Sequence, residues 1–362
     1  MKAKSSLSLL SAFILLTGCH VSSKAAVEGS GGRTAYNQTL QKTTNEQMLL
    51  NLVRLRYIDF PFFLDVNAVT TQFSMGTKIQ PYIPIPGFNE DNPASIGGEF
   101  SWLNTPTISY TPLQGQTFSL QLFRPIDLII IQQLIYAGWD IDRVFRLCIQ
   151  SIDDIPNAPT ASGPMPDFEP EYERFAYFTK LLRYFQQRSQ LKISIQLNDK
   201  DAIFRGKAFD ITFPEGSDES RELTKLAKGA VLEDGYYTYN VAIGFNKDRN
   251  IGIMPRSLMS CMYYLSLGVE IPPGSECKCP ATYKESGERF DWKSVVGDLL
   301  TVKTCKSKPD NAFVSVEYKN TWFYIHDNDH QSKRTFVLLL QLYNLQSSSA
   351  APNAPLLTLP LR

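Results

Sequence analysis

Two histidines and two aspartates lie within five residues near the C-terminal end of the chain: His326, Asp327, Asp329 and His330. Imidazole nitrogens and carboxylate oxygens are ordinary ligands of divalent metals, so this group is a candidate metal site. The alternative is structural, because aspartates just before a helix accept hydrogen bonds from its free N–H groups. The pattern predicts that His326 ends a strand and that a helix follows Asp329. It therefore favours capping, and no metal is expected.

Four further side chains are candidates for contact with a partner: Arg54, Arg56, Trp322 and Tyr324. Arginines on a helix flank can face anionic groups, although they more often cover apolar neighbours with their stems. Tryptophan and tyrosine suit protein or sugar interfaces because they bury a large area and keep a polar handle. For all four residues, the alternative is a purely structural role in the core or on the surface.

Signatures of common catalytic sites are missing from the sequence. A hydrolytic triad needs a histidine and a nucleophile. The sequence has only three histidines, and the Gly-x-Ser-x-Gly motif that carries a nucleophilic serine does not occur. No glycine loop of the phosphate-binding type precedes a helix. A glycosidase needs only two carboxylates, but nothing singles out a pair among the 36 acidic residues. No catalytic residue or cofactor is assigned, and a non-enzymatic role is favoured while an enzyme stays open.

The N-terminal end of the chain carries a targeting signal. Lys2 and Lys4 form a short positive region, and an uncharged apolar run covers residues 7–16. Ten residues are too few to span a bilayer, which needs about 20 in a helix, so the run is typical of a signal peptide. Small Thr17 and Gly18 then precede Cys19. An ordinary secretory signal with a chance cysteine is the alternative.

The sequence Leu16-Thr17-Gly18-Cys19 resembles the lipobox of a bacterial lipoprotein signal. The resemblance implies removal of residues 1–18, a diacylglycerol on the Cys19 thiol and a further chain, of the palmitate type, on its amine. Two or more acyl chains hold a protein stably on a membrane, since each buried methylene contributes roughly 0.8 kcal/mol. By the same resemblance, histidine rather than aspartate at position 20 implies the outer membrane, on its periplasmic side.

Export would place the remaining cysteines in an oxidising compartment. Cys277 and Cys279 are one residue apart, whereas zinc knuckles and thioredoxin-type pairs use two intervening residues. The expected bond is a structural disulfide from Cys277 or Cys279 to Cys305. Cys148 and Cys261 lie among apolar residues of predicted helices and are expected to be core thiols. Because five is odd, at least one thiol stays free or pairs with another chain.

The composition is that of a folded globular protein, with 43% apolar and 20% charged residues. Lysine plus arginine and aspartate plus glutamate both number 36, which argues against a nucleic-acid-coating protein. After the signal peptide, Ser, Gly and Ala predict a lipidated flexible tether over residues 19–35. One globular body is expected over residues 36–346, followed by a disordered tail over residues 347–362.

The predicted elements mix helices and strands without regular alternation, which favours an α+β body with mixed antiparallel sheet elements and packed amphipathic helices. A first helix is expected from Tyr36 to Tyr57, and a last helix from Ser332 to Leu345. Between them, two strand-like runs flank Lys319-Asn320 and predict a hairpin. Residues 76–98, with four prolines and four glycines, predict a long loop, and residues 100–123 predict two or three strands.

Three blocks of the chain resemble a family of uncharacterised bacterial lipoproteins. They are Asn45–Tyr57 with the strand that follows it, Arg256–Pro272, and the segment from Trp322 to Phe336. Together they cover less than a third of the chain. Members of that family often have aspartate where this chain has His326, and glycine in the hairpin turn. The resemblance implies an envelope lipoprotein and carries no activity.

These observations predict an outer-membrane-anchored lipoprotein that acts as a non-enzymatic binding, scaffolding or assembly component of the cell envelope. Its expected partners are the membrane, through lipid on Cys19, and other envelope proteins, with no nucleic acid. One alternative is a subunit of an outer-membrane secretion-system complex. Another is a periplasmic hydrolase that acts on cell-wall material.

Overall fold

A computed structural model describes residues 33–81, 96–164, 166–195, 208–244, 251–274, 279 and 281–347. The predicted signal peptide, Cys19 and most of the predicted tether lie outside these residues, as do the last fifteen residues of the predicted tail. Within the described ranges, no helix combines the length and the apolar character that crossing a membrane requires. The contacts divide the chain into two compact units, Met1–Thr43 with Leu64–Leu113 and Thr44–Phe63 with Gln114–Arg362.

The first unit contains a long β-hairpin. Strands β1, Leu64–Pro81, and β2, Ile96–Pro112, pair antiparallel from Leu64 opposite Pro112 to Pro81 opposite Ile96. The register shifts between Val66 and Ala68, as it does at a β-bulge. The predicted loop over residues 76–98 is wrong at both ends, because backbone pairing continues to Pro81 and resumes at Ile96. Backbone pairing tolerates proline at a strand end.

The first helix, α1, runs over Arg33–Arg56 and begins three residues before the predicted one. Its residues up to Thr43 belong to the first unit and the others to the second. In the second unit its buried side chains include Met48, Leu49 and Leu52, which recur at helical spacing. The predicted amphipathic helix is therefore confirmed there.

The second unit holds the remaining helices of the described chain. They are α2 Gln116–Phe123, α3 Leu128–Tyr136, α4 Ile141–Cys148, α5 Glu173–Gln187, α6 Asp218–Leu226, α7 Leu258–Ser266, α8 Lys293–Val296 and α9 His330–Ser347. The prediction of strands over residues 100–123 is wrong for Gln116–Phe123, which form α2. Its buried residues, Phe118 and Leu122, are four apart and so lie on one helical face.

A seven-stranded mixed sheet forms one layer of the second unit. Its strands are β3 Ile149–Ile152, β4 Ile155–Pro156, β5 Lys192–Ile195, β6 Ala208–Pro214, β7 Val231–Glu233, β8 Tyr236–Ile243 and β9 Ile251–Pro255. The strand order is β4-β3-β9-β8-β6-β5, and β7 pairs with β8 in addition. Among the described strand pairs of this sheet, β8 and β9 form the parallel one. Phe209, Ile211 and Phe213 of β6 are buried at every second position, as a strand with one covered face requires. Helix α5 covers this core, with Phe185 and Phe213 ring centroids 5.2 Å apart.

A three-stranded antiparallel sheet lies near the C-terminal end of the unit. Strands β10 Lys303–Cys305, β11 Ala312–Tyr318 and β12 Thr321–His326 are ordered β10-β12-β11. Lys319 and Asn320 connect the last two with φ values of 49° and 61°, the left-handed conformation that a two-residue hairpin turn needs. The predicted hairpin is confirmed, and so is the α+β class with mixed and antiparallel sheets.

Candidate functional site

The end of α1 is fixed by side-chain bonds to the chain that follows it. Asn51 is fully buried; its Nδ2 donates to the Phe62 carbonyl at 2.8 Å and its Oδ1 accepts from the Phe62 N–H at 3.0 Å. The hairpin turn holds the same region, because Lys319 Nζ lies 2.7 Å from the Asp59 carboxylate. These bonds hold the last helical residue, Arg56, in a defined place.

Arg56 lines a cleft of about 340 Å³ in the second unit. The other lining residues come from two segments, residues 267–271 after α7 and residues 289–293 before and within α8. This volume falls within the range of small-ligand sites, roughly 300–1,000 Å³. One of the four predicted interaction residues, Arg56, therefore lines this candidate site.

Residues 267–271 form a rigid wall of the cleft. Val302 N–H donates to the Gly268 carbonyl at 2.9 Å, and Glu270 N–H donates to the Val302 carbonyl at 2.9 Å. A Cβ at Gly268 would lie 2.2 Å from the Leu300 carbonyl oxygen, so the backbones approach closely only because this residue is glycine.

The opposite wall is built on a buried aromatic pair. The rings of Phe290 and Trp292 meet edge to face at 5.2 Å. Trp292 is 5% exposed, and its Nε1–H donates to Thr282 Oγ1 at 2.8 Å. Phe290 N–H donates to the Thr282 carbonyl at 2.8 Å. Thr282 thus fixes both aromatic residues, and the exposed side chain of Arg289 is held on a defined backbone.

The charges of the cleft are unevenly distributed. Lys293 Nζ pairs with Glu270 Oε1 at 3.1 Å, and the other Glu270 oxygen accepts from the Thr304 N–H at 3.3 Å. Arg289, by contrast, forms no ion pair with a residue that the structure describes. Burial lowers the pKa of Arg56, the neighbouring Cys279 raises it, and the charge of Arg289 has a smaller lowering effect. Both guanidinium groups therefore contribute positive charge to the lining of the cleft.

A guanidinium group stays protonated in proteins and offers a planar fork of donors that matches carboxylate and phosphate oxygens. An anion in the cleft would interact favourably with the exposed Arg289 guanidinium and with the positive charge of Arg56. Leu267, Val269 and Ile271 add apolar surface beside the charges. The arrangement suits an anionic group attached to a partly apolar molecule.

The other three predicted interaction residues do not join Arg56. The Arg54 side chain donates to Asn51 Oδ1 at 3.2 Å. Trp322 and Tyr324 alternate with buried Phe323 and Ile325 on β12, so they lie half-buried on the opposite face of the small sheet. Lys308 Nζ lies 5.7 Å from the centroid of the Trp322 ring.

Three side chains of the candidate metal cluster have structural partners. Asp329 accepts from the Ser332 N–H at 3.0 Å and from the Ser332 hydroxyl at 2.7 Å, which caps α9 and confirms the capping interpretation. Asp327 pairs with Lys333 at 2.7 Å, and His326 Nδ1 accepts from the Asn328 N–H at 3.1 Å. Across the described residues, no group of three or more His, Cys, Asp or Glu side chains is arranged to hold a metal ion.

The described cysteines carry free thiols. Cys279 is buried and Cys305 is half-buried, with its Sγ 3.0 Å from the Ser307 carbonyl, so the structure holds no Cys279–Cys305 bond. The other predicted partner, Cys277, lies outside the described residues. Cys148 and Cys261 are both fully buried, as expected for core thiols.

Sequence reasoning missed most of the cleft. Arg289 and Trp292 lie in a segment with no recognised motif, and Gly268 carries no local signal for its close approach to Leu300. The sequence signal for this wall was a pair of aromatic residues, Phe290 and Trp292, with a basic residue on either side of the pair. Comparison with models of known protein families, with curated proteins and with solved structures finds no match for this chain.

Proposed function

We propose that this protein is a non-enzymatic binding component of a bacterial cell envelope, and that its cleft holds a carboxylate of a partner protein. The observation that carries the proposal is the exposed guanidinium of Arg289, which has no ion-pair partner among the described residues, in the lining of a cleft that Arg56 also lines. A carboxylate is the protein group that a guanidinium binds best.

The surroundings of the two arginines favour binding over catalysis. The two acidic residues of the lining have other roles, since Glu270 pairs with Lys293 and Asp291 Oδ1 accepts from the Lys293 N–H at 3.0 Å. No histidine or cysteine lines the cleft as described. Apolar Leu267 and Ile271 would contact the rest of an acidic partner segment.

The location is the second part of the proposal. A signal over residues 1–18 and lipid on Cys19 would confine the protein to the periplasmic side of the outer membrane. The three sequence blocks support membership of the family of uncharacterised bacterial lipoproteins. Confinement to a surface raises the effective concentration of neighbouring proteins, so a small cleft of modest affinity suffices for a stable assembly.

The test compares two charge reversals of equal size. Arg289→Glu introduces a carboxylate beside the cleft, and Arg221→Glu makes the same change at an exposed residue of α6 that pairs only with Asp218. Each full-length variant is purified from gently solubilised membranes, and the proteins that accompany it are identified by mass spectrometry. A Cys19→Ser variant tests the anchor through membrane fractionation.

We expect a partner protein that co-purifies with the wild type and with Arg221→Glu. Its recovery should fall at least tenfold with Arg289→Glu. A partner retained equally by both variants, or recovery of the wild type only as a free monomer, would refute the binding function. Cys19→Ser is expected to leave the membrane fraction. If it stayed there, the proposed anchor would be wrong while the cleft proposal would stand. Recovery of a large multi-subunit complex would favour the secretion-system alternative.

A further inference from the structure

The long hairpin of the first unit separates its residues by chemical type. Alternate residues of a strand belong to opposite faces of a sheet, so the register of β1 on β2 assigns each residue to one of two sets. One set, here called the apolar face, has aliphatic, aromatic or proline residues at most of its positions. Its members include Val69, Phe73 and Met75 of β1 and Phe100, Trp102 and Ile108 of β2.

The opposite set, here called the polar face, consists mainly of threonine, serine and glutamine. Every charged residue of the two strands also belongs to it, namely Asp65, Lys78 and Glu99. The apolar face therefore carries no charge. A surface that complements it is itself uncharged and apolar.

Between its charged ends the hairpin has an uncharged band. No charged residue occurs over residues 66–77 of β1 or over residues 100–112 of β2, and the register aligns the two stretches. At 3.3 Å per residue the band is about 40 Å long. Strand edges that face water are usually protected by charged residues, and an isolated two-stranded sheet is marginally stable in water. A band of this length without charge suits contact with hydrocarbon, where charged groups are costly.

The edges of the hairpin decide how it can meet hydrocarbon. Within the described residues its sheet consists of β1 and β2 alone, so each strand has an outer edge whose N–H and C=O groups have no strand partner. Such groups do not enter the hydrocarbon of a bilayer unpaired. A hairpin that lies along the surface keeps both edges among water and lipid head groups. Aromatic residues such as Trp102 suit that depth, where the polar and apolar regions of a bilayer meet.

We propose that the apolar face of this hairpin binds the surface of a lipid bilayer, with the polar face towards water. At the base of the apolar face, Leu64 and Tyr110 are 38% and 54% exposed, so this end is open to such contact. Surface contact without a lipid chain is reversible. An unlipidated chain would therefore bind an excess of vesicles and still be lost from washed membranes. The inference depends neither on the cleft nor on lipid at Cys19.

The experiment uses the full mature chain with Cys19→Ser, which removes the proposed lipid, and an excess of vesicles of phosphatidylethanolamine and phosphatidylglycerol. Binding is measured by flotation in a density gradient at high salt, which screens purely electrostatic attraction. Neighbouring residues provide matched variants, because Phe73 belongs to the apolar face and Gln72 to the polar face. Phe73→Asp and Gln72→Asp each add one carboxylate to β1, and Ile108→Asp and Ser109→Asp repeat the comparison on β2.

We expect the Cys19→Ser chain to float with the vesicles. Adding Phe73→Asp or Ile108→Asp should lower the partition coefficient roughly tenfold or more, because a large apolar residue no longer leaves water. Gln72→Asp and Ser109→Asp should change it little. Arg289→Glu should float as the Cys19→Ser chain does, which separates this test from that of the cleft.

A Cys19→Ser chain that stays in solution would overturn the inference, and this result requires no hairpin variant to fold. Equal losses from both members of each matched pair would also overturn it, because the effect would not follow the faces of the sheet. A chain that stays in solution as an oligomer, and that Phe73→Asp disperses, would assign the apolar face to a second copy of the chain instead of to lipid.

Discussion

The side chain of Arg256 provides the sharpest test of how the second unit is held together. It is 1% exposed and has no carboxylate partner among the described residues. Its donors instead reach backbone carbonyls of Arg146, Leu147, Ile149, Asn157 and Ala158, together with the Ser162 hydroxyl. Its guanidinium also lies 4.1 Å from the centre of the Tyr264 ring.

Two opposing effects decide what Arg256→Met would do. Burial lowers the pKa of Arg256 by disfavouring its charge, so replacing the ion with an apolar chain recovers desolvation energy. Against this, the carbonyl of Asn157 would lose its charged donor, and the carbonyls of Arg146, Leu147 and Ile149 would lose theirs and keep the side-chain donors Asn157 and Cys261. Each buried carbonyl left without a good partner costs about 1–3 kcal/mol, and the lost contact with Tyr264 adds up to about 2 kcal/mol.

We expect the carbonyl losses to win, with Arg256→Met lowering the free energy of unfolding by about 3–5 kcal/mol. Arg256→Lys keeps the charge but has fewer donors in a different geometry, so an intermediate loss is expected. The assay is urea unfolding of the full chain with an unchanged m-value, and Arg221→Met is the exposed control, within about 0.5 kcal/mol of wild type. A loss below about 1 kcal/mol for Arg256→Met would show that desolvation of the buried charge cancels the carbonyl bonds.

Three other changes test separate parts of the structure. Asp329→Ala removes the cap of α9 and is expected to cost about 1 kcal/mol in urea unfolding, whereas no loss would mean that another group satisfies the Ser332 N–H. Gly268→Ala places a methyl group against the Leu300 carbonyl. This change is expected to lower the free energy of unfolding by about 1–3 kcal/mol and to weaken partner binding. Wild-type stability together with wild-type partner binding would contradict the rigid wall. Bonds and charge from Arg146 outweigh burial and lower the pKa of Asp298 in the folded state. Asp298 therefore stabilises the fold above its unfolded pKa, about 4, and this contribution is lost as the pH falls through the folded value. Asp298→Asn should show a shallower fall of Tm from pH 5 to pH 2, and an identical fall would refute the role of this pair.

Local chemistry made parts of the fold predictable from the sequence. The hairpin at Lys319-Asn320 has one apolar-alternating strand on each side of two turn residues, so the whole signal lies within residues 312–326. The cap of α9 is local too, since Asp329 and Ser332 are three residues apart. Helix α1 was predictable because its apolar residues recur at a regular spacing over several turns.

Features that depend on distant residues were not predictable. The cleft joins Arg56 to residues more than two hundred positions away, and no local pattern marks Arg289 as its neighbour. The buried Cys261 Sγ lies 3.2 Å from the Leu147 carbonyl, and no local pattern marks two residues so far apart in sequence as neighbours. Helix α2 was mistaken for strands because a short helix with two buried residues gives little periodicity.

The most direct test of the cleft is cross-linking in intact cells. A photoreactive amino acid at Ile271, which is half-buried in the cleft lining, would capture whatever occupies the site. We expect an adduct of discrete mass when the photoreactive residue is the only change and when Arg221→Glu is added to it. The adduct should be lost when Arg289→Glu is added instead. An adduct of equal yield in all three chains, or none in any of them, would contradict binding of an acidic partner at Arg56 and Arg289.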